Sequence, residues 1–330
     1  MHKFQQRINY QGDLQPFLVK VCEKFSIGEY NSHEIVPIGY EDFNLQLTTK
    51  EGRYFVKIFA STKNKEECRR NVDIIEEALK SGVSHPKLFK SNQGLLCEIV
   101  NGSLIDRICL MEYIDGNIFY EQQIPPTDEE KRFIIKEAAL INQMDLHPPL
   151  FYDRWAVTNL LREFRQKGKF LTGEDKKLIN PLVKSFVSLN IDKLPHCFVH
   201  GDITKTNTMR SKKNEIYIFD FSVSNYYPRI QELASILCDL FFDPKHLDVF
   251  PKTYDLAVGE YQKYVQLTPD EITTLPAYVK LAHAMHILLA NYLRVESGNT
   301  SSENDYYLKL GRAGLSFTNK LWPHADNENS

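Results

Sequence analysis

Apolar residues in the first 28 positions recur at helical spacing, as Leu14, Phe17, Leu18, Val21, Cys22 and Phe25, and the run stops at Gly28. That spacing predicts a helix closed by a glycine turn. From Ile35 the period shortens to that of strands, over 35–38, 44–48 and 54–59, with a turn at 50–53 before the last of them. This is the pattern of a β-meander. A polar helix is predicted over 65–81, ended by Gly82 with Pro86 shortly after. Two further strands, 94–100 and 107–114, close at Asp115-Gly116. Beyond that point helices dominate, over 127–144, 156–167, 172–190, 231–242, 251–266, 269–294 and 304–318, interrupted by short apolar strands at 197–199 and 216–219. The pattern predicts an α+β protein with a strand-rich first lobe, residues 1–114, and a larger, mainly helical second lobe, residues 115–330.

Two places in this pattern carry chemistry. Val56-Lys57-Ile58 sets a lysine inside an apolar strand, and alternation leaves Phe55, Lys57 and Phe59 on one face. A lysine among such neighbours is costly unless paired, so simple solvent exposure is a poor account of it. The second place is Phe198-Val199-His200-Gly201-Asp202-Ile203-Thr204-Lys205-Thr206-Asn207, followed by Ile216-Tyr217-Ile218-Phe219-Asp220-Phe221-Ser222. Asp202 follows an apolar strand, Asn207 is close enough in sequence to fold back beside it, and Asp220 ends the next strand. An Asp or Asn in such a loop is most often a turn former or helix cap, so none of the three is diagnostic alone. Together, at this spacing, they point to phosphoryl transfer, which asks protein for an orienting base and for oxygen ligands to a hard cation.

His200-x-Asp202-x-x-x-x-Asn207, with Asp220 after a short hairpin, resembles the aminoglycoside phosphotransferase, choline kinase and homoserine kinase superfamily, whose catalytic lobe is similar to that of protein kinases. Gly201 is the small-molecule-kinase signature. Protein kinases carry Arg there, and follow their metal-binding Asp with Phe-Gly where this chain has Phe221-Ser222. The resemblance implies a bilobal protein-kinase-like fold, with an N-terminal antiparallel sheet plus helix as nucleotide-binding lobe and a helical C-terminal lobe for catalysis and acceptor binding. It implies ATP and Mg²⁺ as cofactors, Asp202 as catalytic base, Asn207 and Asp220 as metal ligands, and Lys57 on the nucleotide phosphates. It also implies a nucleotide-covering loop from Gly39 to Asn44, with Asp42 where the family has Asn, and a hinge at Glu112 and Tyr113 whose backbone bonds adenine. The family pairs its strand lysine with a helix glutamate. Counting back from Pro86 that residue falls near Asn71, so the partner is sought among Glu66, Glu67, Glu76 and Glu77 and assigned to Glu67. Lys205 matches an Arg of homoserine-kinase-like proteins and would neutralise charge on the transferred group; an exposed loop lysine is the equal alternative. His200 is expected to buttress the loop, and Glu232 to anchor it.

A net charge of −3 without a basic block excludes a nucleic-acid binder, and no span of membrane length occurs. Six scattered cysteines without a Cys-x-x-Cys pair suit free thiols in a reducing compartment, so a cytoplasmic protein is expected. The acids of the C-terminal helices are interspersed with lysines, which leaves no evident acidic groove for a polycation. The expected partner is therefore a small-molecule hydroxyl acceptor: an amino alcohol, a hydroxy amino acid or a sugar. A protein Ser/Thr kinase, an aminoglycoside phosphotransferase and a non-catalytic nucleotide-binding scaffold are the alternatives. Oligomeric state is not encoded in any pattern of the chain.

Overall fold

A computed structural model describes residues 3–37 and 41–323. In chain order the elements are α1 (Gln15–Phe25), β1 (Tyr30–Val36), β2 (Phe43–Thr49), β3 (Arg53–Ile58), α2 (Lys65–Lys80), β4 (Leu88–Phe89), β5 (Cys97–Asn101), β6 (Leu104–Glu112) and β7 (Gly116–Ile118). There follow α3 (Phe119–Gln122), α4 (Asp128–Asn142), α5 (Leu160–Lys167), α6 (Gly173–Phe186), β8 (His196–Val199), β9 (Thr208–Ser211), β10 (Ile216–Ile218), β11 (Asn225–Pro228), α7 (Ile230–Cys238), α8 (Phe250–Tyr261), α9 (Pro269–Glu296) and α10 (Ser302–Leu321). They form two compact units, Met1–Ile118 with Thr208–Ser222, and Phe119–Asn207 with Val223–Ser330.

The first unit is built on an antiparallel sheet of order β1-β2-β3-β6-β4, with β5 also paired to β6. Strand alternation sorts its side chains to two faces. Leu45, Leu47, Val56 and Ile58 pack with Phe17, Leu18 and Val21 of α1, while Phe55, Phe59, Cys109 and Met111 pack with Cys68 and Val72 of α2. Lys57 belongs to the α2 face and sits opposite Asn44 on β2 and Cys109 on β6. The first helix matches the periodic run but closes at Ser26, at φ of 54°, ahead of the expected glycine turn; Pro16 sits in its first turn, and residues 3–7 form a separate 3-10 turn. The strand expected from 94 begins at Cys97, because Ser91 and Gly94 close a turn ahead of it. A second small sheet, β10-β9-β7, completes the unit. Its β7 requires glycine at 116, since a Cβ there would collide with the Arg210 carbonyl oxygen.

The second unit is helical around α9, buried without interruption from Tyr278 to Asn291. A helix buried on all sides is a core element, and here Lys280, His283, His286 and Asn291 are enclosed with the apolar residues. Capping boxes fix the starts of α4 at Thr127/Glu130 and α9 at Thr268/Glu271. Glu271 also holds Arg229 through both guanidinium contacts, Nε at 2.9 Å and Nη2 at 2.5 Å, which fixes the start of α7. The helices expected over 156–167 and 172–190 are partly 3-10, at Val157–Asn159 and Val187–Leu189. The two-stranded ladder β11-β8 places His196–Val199 against Asn225–Pro228. Among the described residues no helix is long and apolar enough to cross a membrane.

Candidate active site

In the first unit Lys57 is 5% exposed, and its ammonium meets two carboxylates, Asp220 Oδ1 at 2.9 Å and Asp42 Oδ2 at 3.2 Å. Burial alone would lower the Lys57 pKa, but Asp220 and Asp42 outweigh it and hold the lysine charged. The buried Asp42 is itself crowded: its Oδ1 accepts from Ala60 N–H at 3.0 Å and Lys63 Nζ at 2.9 Å, and its Oδ2 from Lys63 Nζ at 3.0 Å. Its burial pushes towards protonation, yet the two ammoniums keep it below the usual carboxylate range. Asp220 follows β10 with φ of 71°, in the left-handed region that Asp tolerates better than most residues. Phe221 behind it is fully buried against the His85 ring at 5.9 Å and pins that turn. Burial would raise the Asp220 pKa, but Lys57 and Lys63 hold it well below the carboxylate range, and its side chain is still 38% exposed. That leaves carboxylate surface for a cation.

The second unit carries the loop after β8. His200 is fully buried and its Nδ1 accepts the Asp202 N–H at 3.2 Å, so the ring carries its proton on Nε2. Gly201 turns the chain at φ of 80°, where a side chain would be strained. Asn207 folds back on Asp202 as its spacing suggests: Nδ2 donates to Asp202 Oδ2 at 2.6 Å and to the Asp202 carbonyl at 3.1 Å. With the amide nitrogen spent on the acid, Oδ1 is the atom left for a hard cation.

Two further acids hold this loop from beneath. Glu232 Oε2 accepts the Gly201 N–H at 2.9 Å, the anchoring expected of it. Asp239 accepts the Lys205 N–H at 2.6 Å and the Tyr306 hydroxyl at 3.1 Å. Asp239 was not anticipated, although a signal existed: two acids seven residues apart in the mostly apolar run Ile230-Gln231-Glu232-Leu233-Ala234-Ser235-Ile236-Leu237-Cys238-Asp239 share one helical face. Burial pushes the Glu232 pKa up to about 8, against the pull of the Gly201 and His200 N–H groups. The folded chain thus keeps a proton on Glu232 that the unfolded chain releases. This group's contribution to stability is full below pH 4.5 and is lost as pH rises to about 8. Glu232→Gln, which mimics the protonated acid, is expected to flatten the fall in urea-unfolding free energy across that window; an unchanged pH slope would mean Glu232 is ionised in the folded chain.

Three expectations need correction or restriction. Glu67 does not pair with Lys57: its carboxylate accepts the Asn64 N–H at 2.8 Å in the capping box of α2, and the acids on Lys57 are Asp42 and Asp220. Local capping takes a glutamate at the third helical position before any distant lysine can. Lys205 is committed to Phe242 O at 2.9 Å and Tyr306 Oη at 3.1 Å, which makes it an anchor of the loop to the segment after α7 and to α10. Gly39 lies outside the described residues. Glu112 ends β6, its N–H donating to Lys87 O at 2.8 Å, and the Tyr113 ring lies 4.6 Å from the Arg53 guanidinium carbon.

An antiparallel first lobe with a buried strand lysine, and a helical second lobe with an Asp/Asn loop, define a bilobal protein-kinase-like phosphotransferase fold. The chain belongs to the phosphotransferase enzyme family (APH), whose model matches residues 33–264 of the 330. In structure it is similar to a spectinomycin phosphotransferase solved with ADP and spectinomycin, at TM-score 0.67 and 14% identity over 93% of this chain and 99% of that one. It is similar as well to an amicoumacin kinase solved with AMP-PNP and Ca²⁺, at TM-score 0.66 and 15% identity over 94% of each chain. A third similar structure is the choline kinase of Streptococcus pneumoniae, at TM-score 0.63 and 13% identity over 91% and 99%. No curated protein matches the sequence.

Proposed function

We propose that this phosphotransferase moves the terminal phosphoryl group of ATP to a hydroxyl of a small metabolite, an amino alcohol, hydroxy amino acid or sugar. The observation that carries the reading is the Asp202–Asn207 pair, a carboxylate held at 2.6 Å by an amide whose oxygen is left for a cation. Asp202 orients the acceptor hydroxyl and takes its proton. Lys57 holds the nucleotide phosphates, and Glu112 and Tyr113 are the hinge positions whose backbone meets the base. Asn207 Oδ1 and the Asp220 carboxylate are hard oxygen donors of the kind Mg²⁺ takes together with phosphate oxygens. When bound, Mg²⁺ supplies positive charge to the phosphates.

The acceptor class is supported by how the second unit spends its acids. Glu260 pairs with Arg132 and Lys263, Glu271 with Arg229, and Asp243 with His246. Asp248, Asp255 and Asp270 are scattered on the surface. Acids already neutralised make a poor groove for a polycationic antibiotic, which favours a neutral or singly charged acceptor. The test is Mg²⁺-dependent release of ADP from ATP against a panel of amino alcohols, hydroxy amino acids, sugars and aminoglycosides. Stimulation by one of the first three classes is expected. Stimulation by aminoglycosides alone would replace the acceptor assignment, and none by any small molecule, with ATP still bound, would move the reading to a protein acceptor.

A further inference from the structure

Of the carboxylates around Lys57, one has no freedom to do anything else. The Asp42 carboxylate is met on both oxygens by this chain's own groups: Ala60 N–H and Lys63 on Oδ1, Lys63 and Lys57 on Oδ2. Its side chain is 6% exposed, against 38% for Asp220, so it is closed to a cation where Asp220 is open. The Ala60 N–H belongs to the residue pair that follows β3, which ties the Asp42 carboxylate to the strand bearing Lys57. α2 contributes no acid in its place. Glu67 is spent on its own cap, Glu76 and Glu77 lie beside Lys80, and Glu66 and Asp73 are exposed. The α2 face that covers Lys57's side of the sheet presents Cys68 and Val72. Beside them is Asn71, 4% exposed, with neither atom of its amide hydrogen-bonded among the described residues.

We propose that Asp42 is the positioning residue for Lys57, the carboxylate that keeps the ammonium aimed when Asp220 is engaged by a metal ion, and that α2 takes no part in this. The inference rests on the proposed role of Lys57 at the nucleotide phosphates. Its physical content is that a charged amine on a long, flexible stem loses affinity for phosphate when it must be ordered at the moment of binding, whereas a fixed partner orders it beforehand. Lys63 shares the same carboxylate and also meets Glu41 Oε2 at 3.1 Å, so Asp42 is not left to neutralise Lys63 alone.

A double-mutant cycle in the full chain tests this, read as the dissociation constant of ATP with Mg²⁺ for the wild type, Asp42→Asn, Lys57→Met and the pair. Asp42→Asn keeps an oxygen for the Ala60 N–H and is expected to weaken nucleotide binding by about tenfold or more, with acceptor KM unchanged. In the Lys57→Met background the same substitution is expected to do nothing further, because Asp42 acts through Lys57; a merely structural role would give two effects that add. Glu67→Gln is expected to leave the dissociation constant unchanged. Should Asp42→Asn fail to fold, Asp42→Glu, which keeps the charge and moves it by one methylene, enters the same cycle with a smaller expected loss. Additive effects, or a loss in Glu67→Gln matching that in Lys57→Met, overturn the proposal. A wild type that binds no nucleotide, or a Lys57→Met variant that binds it normally, would instead overturn the reading of the site on which it rests.

Discussion

Asp202→Asn is expected to lower turnover by about 10²- to 10⁴-fold while nucleotide affinity stays within about twofold, the range set by loss of a general base in an otherwise intact site. The geometry makes this variant clean. The side-chain oxygen of the replacement can still accept from the Asn207 amide, now 2.6 Å away, and the backbone N–H at 202 still donates to His200 Nδ1. Gly201 remains tied to Glu232, and the Lys205 N–H to Asp239, so the loop keeps its supports. What disappears is the charge and basicity at one atom. The measurement is steady-state turnover with the stimulating acceptor, beside titration of the nucleotide into the same preparation. Undiminished turnover would remove Asp202 from the role of base. A joint loss of turnover and nucleotide binding would show instead that Asp202 holds the loop together.

Much of this arrangement was legible in the sequence, for a physical reason. The spacing from Asp202 to Asn207 fixes a loop too short to do anything but turn back, and the apolar strands on either side fix where it starts. Helices with a strong helical period, such as 127–144 and 269–294, declare themselves in the sequence, and the observed Asp128–Asn142 and Pro269–Glu296 differ by a few residues at their ends. What could not be read was pairing at a distance. Nothing local says that Lys57 meets Asp42 and Asp220, 15 and 163 positions away, in preference to a glutamate of the adjoining helix. The three-residue β7 was invisible because its partner, Thr208–Ser211, is polar and its first residue is a glycine that reads as a turn. Asp239 was missed because the groups it holds, the Lys205 N–H and the Tyr306 hydroxyl, are 34 and 67 positions away in the chain.

The proposed role of Asp220 as a metal ligand carries the second large expectation, and Asn is the informative replacement. The residue stands at φ of 71°, which Asn adopts readily and Ala does not, so Asp220→Ala would mix backbone strain with loss of the carboxylate. Asp220→Asn is expected to lower kcat/KM by about 10³-fold, since charge stabilisation by a bound metal is worth several kcal/mol and each ~1.4 kcal/mol is tenfold. The sharper signature is in binding. Asp220 now sits 2.9 Å from Lys57 as a competitor for the ammonium, so removing its charge should leave metal-free nucleotide affinity equal or slightly improved, while the gain that Mg²⁺ confers on the wild type vanishes. Stability should fall by only about 1–2 kcal/mol, less than for a fully buried pair, because Asp42 still neutralises Lys57 and the Asp220 side chain is partly open to solvent. Titration of ATP with and without Mg²⁺ into both proteins decides the matter. If Mg²⁺ still strengthens binding to the Asp220→Asn protein as it does to the wild type, the carboxylate serves Lys57 alone, and the oxygen that holds the cation must be sought on another residue.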